Sequence, residues 1–342
     1  MNKDNETIDT LKVHSAPKIV VIGGGSGQPI ILKGLKKCHV DLTAIVTVAD
    51  DGGSSGALRN YLNMVPPGDV RNVLSVLANV DEEIIDVFQY RFNSDDDMLA
   101  GHALGNLILA SIAEQDNSIF SAVNRLSKFF KVQGNVFPVA DEPLILHAEF
   151  TDGTVLDGES AITAAGKKIK HVWVTPQFTL DEHRLPEAPS EVVNAILNAD
   201  IVVLGPGSLF TSIMPNLMVP NVAEALLATR AKVVYVANIM TQKGETDGYS
   251  DADHVRAINE HVGERVVDAV IMNTAPVPDD YIDWKKWNEV SKQVISDPEH
   301  VRSAGAVPVV GNLLELRDDG AFHDGDKVAQ LIMKIAEAKN ID

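Results

Sequence analysis

Cysteine is nearly missing from this chain: Cys38 stands alone. No disulfide can form within it, and a reducing compartment is the expectation. Basic residues are also short, with 29 Lys and Arg against 48 Asp and Glu for a net charge of −19. Nucleic-acid binding draws on many Lys and Arg contacts to phosphate, so that class of partner is excluded, and an anionic membrane surface is repelled. Long apolar runs are lacking as well. None reaches the roughly 18 residues that suggest a membrane span. Residues 1–15 are polar and mixed in charge, without the apolar stretch of a signal peptide. Cytoplasmic residence is the expectation.

The acidic balance leaves room for a small phosphorylated ligand, which backbone N–H groups at a helix N-terminus can hold locally. Hydrophobic residues at 45% and charged residues at 23% of 342 suit a globular chain with its own core.

Residues 18–71 organise the rest. KIVVI (18–22) is an apolar run of strand length, GGGSG (23–27) follows at once, and a helix opens near Pro29. A second apolar run, 42–48, ends in the acidic, glycine-rich stretch DDGGSSG (50–56). Two strands that each finish in a loop of small residues make half of a nucleotide site. Asp69 is read as the N-cap of a helix to Asn79, and residues 93–97 (NSDDD) as an exposed acidic loop. Residues 135–175 predict a β-rich insertion beside the main sheet, with a hairpin turn at 151–154 (TDGT).

Later apolar runs at 200–204, 232–237, 269–272 and 307–310 alternate with helical patterns. One of those helices starts with an Asn221/Glu224 capping-box pattern, and another begins near Asp326. The pattern predicts an α/β fold: a Rossmann-like, doubly wound, mostly parallel sheet with helices on both faces. Ligands of such folds sit beyond the carboxyl ends of the strands. Residues 1–16 read as a flexible tail, and 17–340 as a single domain carrying the insertion.

The loops after the strands carry the candidate chemistry. Gly24, Gly25, Ser26 and Gly27 let backbone approach phosphate oxygens, although a tight strand-to-helix turn would use the same residues. They form neither a G-x-G-x-x-G fingerprint nor a Walker A loop. Asp50 and Asp51 can accept bonds from ribose hydroxyls or hold Mg²⁺, or simply form a turn. Arg59 and Arg71 can pair with phosphate, or with surface carboxylates.

Gly205, Pro206, Gly207 and Ser208 repeat the design, with Ser208, Thr211 and Ser212 as hydroxyl donors. Asn238, Thr241 and Gln242 have the groups to read a base or sugar. Asp251, Asp253 and His254 are better explained by a helix start than by a metal. Tyr281, Trp284 and Trp287 read as core or subunit contact. No nucleophile elbow and no acid/base pair is evident, so binding outweighs catalysis.

Six ordered motifs then carry a resemblance: GGGSG (23–27), IVTVADDGGSSG (45–56) with GDVRN (68–72), GHALGNL (101–107), GPGSLFTSIMPNL (205–217) and NIMTQKGETDGYS (238–250). Together they resemble the YvcK-type gluconeogenesis factor family, relatives of the CofD 2-phospholactate transferases. Gln28-Pro29 departs from the leucine and small polar residue that the family places there.

The resemblance implies a cytoplasmic, Rossmann-like bacterial protein needed for growth and cell shape on gluconeogenic carbon sources, with an effect on peptidoglycan precursor supply. It implies a UDP-sugar such as UDP-N-acetylglucosamine, or an NAD-like dinucleotide, as ligand. In the CofD relatives' manner, Mg²⁺ on Asp50, Asp51 or Asp69 would instead serve a transferase. A homo-oligomer, in the form of a dimer, and regulatory protein partners are expected. Carried over by motif, the ligand contacts are residues 24–27, Asp50, Asp51, Ser54, Asp69, Asn72, Asn106, residues 205–208, Asn238, Thr241 and Gln242.

Overall fold

The computed structural model describes residues 16–93, 99–181 and 183–338. Most of the expected tail, and all but Asn93 of the acidic loop expected at 93–97, lie outside the described residues.

Fourteen strands are described: β1 Lys18–Gly23, β2 Asp41–Val46, β3 Asn135–Pro138, β4 Leu144–Phe150, β5 Val155–Asp157, β6 Ile169–Pro176, β7 Ile201–Leu204, β8 Lys232–Val236, β9 Met240–Gln242, β10 Ala269–Asn273, β11 Val290–Gln293, β12 Val307–Gly311, β13 Leu314–Arg317 and β14 Gly320–His323. Seven of them form one sheet in the order β12-β10-β8-β7-β1-β2-β3, every pair parallel. Parallel strands need crossover connections, so helices flank the sheet and its strands read as continuous apolar runs. Ile19, Val20, Val21 and Ile22 of β1 are all buried, as are Val202 and Val203 of β7.

The order fixes where a ligand can sit. From β1 the chain moves outward through β2 to β3. It then returns to β7, on the other side of β1, and moves outward again through β8, β10 and β12. The order therefore reverses between β1 and β7, and a crevice opens outside their carboxyl ends. Ile22 pairs with Ile45 on one side and Leu204 on the other and has no exposure. Ile22→Val should cost about 0.5–1.5 kcal/mol in a urea titration; no measurable loss would place this strand outside the core.

Three details differ from the sequence reading. The stretch read as a β-rich insertion from 135 begins later, because β3 pairs in parallel with β2 and ends the main sheet. The antiparallel sheet of order β5-β4-β6 starts at Leu144. Four-residue β3 carries too little pattern to reveal which sheet it joins. Asp69 lies inside helix Gly68–Leu77, after an N-cap at Pro67, and its carboxylate turns to another loop. Asn221 caps nothing: helix Pro220–Ala228 starts on its proline, and the Asn221 amide bonds Ala188 N and O at 2.9 Å each.

The helix near Asp326 spans Gly325–Glu337, with Asp324 accepting from Lys327 N as its cap. Among the described residues no helix is long and apolar enough to cross a membrane.

Candidate functional site

The two glycine loops, 182 residues apart at their first members Gly23 and Gly205, meet in the crevice between β1 and β7. A Cβ on Gly27 would lie 2.5 Å from the Pro206 carbonyl oxygen, and one on Gly207 would lie 3.3 Å from Gly24 O. Only glycine permits backbone to run that close to backbone. The Asn238 side chain, after β8, accepts from Gly207 N at 3.4 Å.

Helix starts crowd the same place. The first N–H groups of a helix have no intrahelical partner, and in helices Gly27–Leu35, Gly53–Leu62 and Gly68–Leu77 no N-cap side chain bonds them. The three starts are contiguous. Gly25 N donates to Asp69 Oδ2 at 2.7 Å, and a Cβ on Gly68 would press on Ser55 Oγ. Such a convergence of N–H groups and dipole ends favours an anion.

Carboxyls ring this anion-suited floor. Burial raises the Asp69 carboxyl to about 6, against the opposing effect of the Gly25 N–H. Asp50 is likewise raised, first by burial. Glu159, at the start of helix Glu159–Ala165 in the insertion, is raised well above its ordinary value by burial and then by the charges of Asp50, Asp69, Glu245 and Asp51. Burial also raises Glu245, which accepts from Ser208 Oγ at 2.5 Å. The sequence reading did not single out Glu159 or Glu245. Glu245 stood within the KGET segment of a quoted motif, whereas nothing local marked Glu159.

The other candidates divide by what they touch. Asp51 accepts from Ser160 N at 2.8 Å and Ser160 Oγ at 2.7 Å, tying the acidic loop to the insertion. Ser54 sits between His102 Nδ1 (2.9 Å) and the Asn106 amide (3.0 Å). Asn106 Oδ1 accepts from Arg71, which also donates to Asn72 Oδ1 at 2.8 Å. Ser54, Asn106, Arg71 and Asn72 thus spend polar atoms on one another.

Thr241 is a brace and not a reader: it is buried, and its hydroxyl donates to Lys292 O and accepts from Lys292 N, both at 3.1 Å. The Ser208 hydroxyl is fully engaged, accepting from Thr211 N and Oγ1 while donating to Glu245. Only its backbone remains for a ligand. Arg59 and Arg71 are not surface residues; each is 3% exposed. Asp253 completes a capping box with Ser250, and the buried His254 donates from Nδ1 to Ser250 O. Gln28 is buried, its amide donating to Val21 O and Ile45 O at 3.0 and 2.9 Å, which staples the first two strands.

Away from the carboxyls the cleft continues, with about 170 Å³ of interior, from Gly27, Pro206 and Gly207 past Asn238 and Gln242 to an apolar wall. Trp287 and Phe322 stand edge to face at 5.1 Å in that wall, and Trp287 Nε1 donates to Asp318 O. Trp287 therefore lines the site; Trp284 is 39% exposed. The Gln242 side-chain oxygen is buried without a partner among the described residues. Among the described residues, no three His, Cys, Asp or Glu side chains are grouped to hold a metal by themselves.

A parallel α/β protein with paired glycine loops at its topological switch point is the class that these features define. Comparison with known proteins carries this further. The family described as 2-phospho-L-lactate transferase CofD matches residues 19–314, and this chain belongs to that family. Two of its relatives share a name. A Listeria innocua protein named gluconeogenesis factor is 45% identical over 96% of this chain and 98% of its own. A Lactococcus lactis protein given the same name provisionally is 50% identical over 94% and 98%. A crystal structure of a Bacillus halodurans protein of the UPF0052 family superposes with a TM-score of 0.87 at 42% identity, covering 93% of this chain and 99% of that one.

Proposed function

We propose that this protein is a regulatory binding protein that senses a nucleotide-linked metabolite, a UDP-sugar or an NAD-like dinucleotide, during growth on gluconeogenic carbon sources. Its output would be the supply of peptidoglycan precursors, and through it cell shape. One observation carries the reading: the two glycine loops touch, and three helix starts without side-chain caps lie together beside them. That floor suits a diphosphate. The aromatic wall with Gln242 suits the base, since a flat heteroaromatic ring needs stacking area and a few polar contacts. Glu159 and Asp50 suit sugar hydroxyls as acceptors.

Calorimetry of the full-length protein with UDP-N-acetylglucosamine, other UDP-sugars and NAD tests this. Saturable binding of at least one is expected; no binding of any, by folded protein, removes the proposal.

A second reading is favoured by the carboxyl ring and by the transferase description of the family. Mg²⁺ keeps several waters and is commonly held by one or two carboxylates plus substrate phosphates. Asp50 and Asp69 beside the glycine loops fit that limited role. When bound, the ion would neutralise phosphate charge. The chain itself would then orient the diphosphate through the loop N–H groups.

The pH dependence separates the two readings. The diphosphate of a UDP-sugar does not titrate near neutrality, so the change reports on the raised carboxyls of the site, Asp69 at about 6 with Asp50, Glu159 and Glu245. Without a cation, a bound anion disfavours these carboxylates, binding takes up a proton, and affinity rises as pH falls from 7.5 to 5.5. With a bridging cation the carboxylate is needed, and affinity falls over the same range. The regulatory reading expects the first sign in EDTA and no turnover when Mg²⁺ is added.

A further inference from the structure

The helices that hold Ser54 and Asn106 at the cleft end in a second depression. The last turn of Gly53–Leu62 and the second half of Leu104–Asp116 form two of its walls, and residues beside β4 and β6 form the third. The groove has a volume of about 380 Å³. Its lining is apolar at Leu62, Val65, Ala113, Ile119, Pro143 and Phe178. Leu62 and Phe178 are 42% and 49% exposed, and Tyr61, the residue before Leu62, is 84% exposed. Grouped apolar exposure of this kind next to a groove marks a contact surface rather than scattered surface residues.

Among the described residues the charged side chains that line it are all acidic, and Arg184 stands at the edge on Glu142. Glu114, Asp141 and Glu142 line the groove, and no Lys or Arg does. Glu142 is satisfied by a two-pronged pair with Arg184, both bonds 2.8 Å, and Asp141 accepts from Ser118 Oγ and Phe120 N. Glu114 is exposed and has no cationic partner among the described residues. A second copy of this chain, at −19, would bring like charge to an acidic rim. Complementarity demands the opposite sign.

The walls are preformed. Arg59, in the helix that ends at Leu62, donates to Leu144 O at 2.8 Å and to the Gln177 side chain at 2.5 Å. These residues neighbour Pro143 and Phe178, so one buried guanidinium holds two walls at fixed spacing. A fixed groove avoids part of the ordering cost of binding.

From these observations we propose that the groove docks an extended segment of a partner protein that presents one or two apolar side chains flanked by Lys or Arg. The apolar side chains fill the space between Ala113 and Phe178, and the flanking cations meet Glu114 and Asp141.

The test uses the full-length protein without nucleotide, so its outcome does not depend on the ligand proposed above. The probes are fluorescein-labelled peptides whose two central positions run through Leu, Ile, Met, Phe and Trp between Lys-Arg pairs. Matched controls carry Asp-Glu pairs or a Gly-Ser centre. Fluorescence polarisation should find members of the first set that bind at least about tenfold more tightly than either control, a difference of about 1.4 kcal/mol. Glu114→Lys, at an exposed position, should weaken them about fivefold to tenfold, and Ala113→Phe should abolish binding by filling the groove. If Ala113→Phe does not fold, Glu114→Lys decides.

No binding by any Lys-Arg peptide, equal binding by the Asp-Glu set, or no effect of Glu114→Lys overturns the proposal. So does sedimentation showing that the groove mediates self-association, lost in Glu114→Lys, because a second copy would then be the occupant.

Discussion

Gly27→Val should reduce nucleotide affinity by about 100-fold and destabilise the fold by about 1–3 kcal/mol. Gly27 opens the first helix, and a Cβ there would meet the Pro206 carbonyl at 2.5 Å, its carbon at 2.8 Å and Gly207 N at 3.1 Å. All three are backbone atoms, so no side-chain rotation relieves the overlap and the two loops must separate. Overpacking of that kind costs a few kcal/mol. The larger effect falls on binding. Hydrogen bonds to a charged group contribute about 1.5–3 kcal/mol each, and losing the geometry of one or two gives about 3 kcal/mol, close to two decades in Kd. Calorimetry with the tightest UDP-sugar measures it. Unchanged affinity in the folded variant would mean that the two loops do not jointly hold the ligand.

The second large effect is on stability. Arg59→Leu should cost about 3–5 kcal/mol, read as a lowered midpoint in urea at unchanged slope. Arg59 is 3% exposed, and its guanidinium is engaged throughout. It donates to Ala49 O and Asp50 O at 3.1 Å each, and to Leu144 O and Gln177 Oε1 in the insertion. Leucine matches its apolar stem but leaves three backbone carbonyls without this donor, each costing about 1–3 kcal/mol if still buried. Arg59→Lys should recover only part of the loss, because an ammonium cannot reproduce a planar fork. A loss below about 1 kcal/mol for Arg59→Leu would show that water replaces the guanidinium and that the link is dispensable.

Much of this was legible beforehand, where neighbours a few residues apart decide the outcome. Runs such as KIVVI followed at once by GGGSG state strand, turn and helix within ten residues, and the parallel sheet follows from their alternation with helical stretches. Errors came where the decision was distant. Asp69 has the residue type and position of a helix cap, yet its carboxylate goes to Gly25, 44 residues earlier. Thr241 offers a hydroxyl in the segment after β8, but β11 claims it from 51 residues away. Trp287 reads as core or subunit contact, yet the hairpin of β13 and β14 makes it a wall of the cleft.

The sequence by itself determined the class of fold, the family, and the presence of two glycine loops built for close backbone approach. Tertiary structure alone decided that those loops touch, that Glu159 and Glu245 join Asp50 and Asp69 in one acidic ring, and which polar groups remain for a ligand. The physical reason is range. Backbone conformation answers to local sterics and periodicity, whereas the partner of a buried polar group is chosen by whatever the topology brings beside it. Ser160 lies 109 residues from Asp51, and Gln177 lies 118 from Arg59.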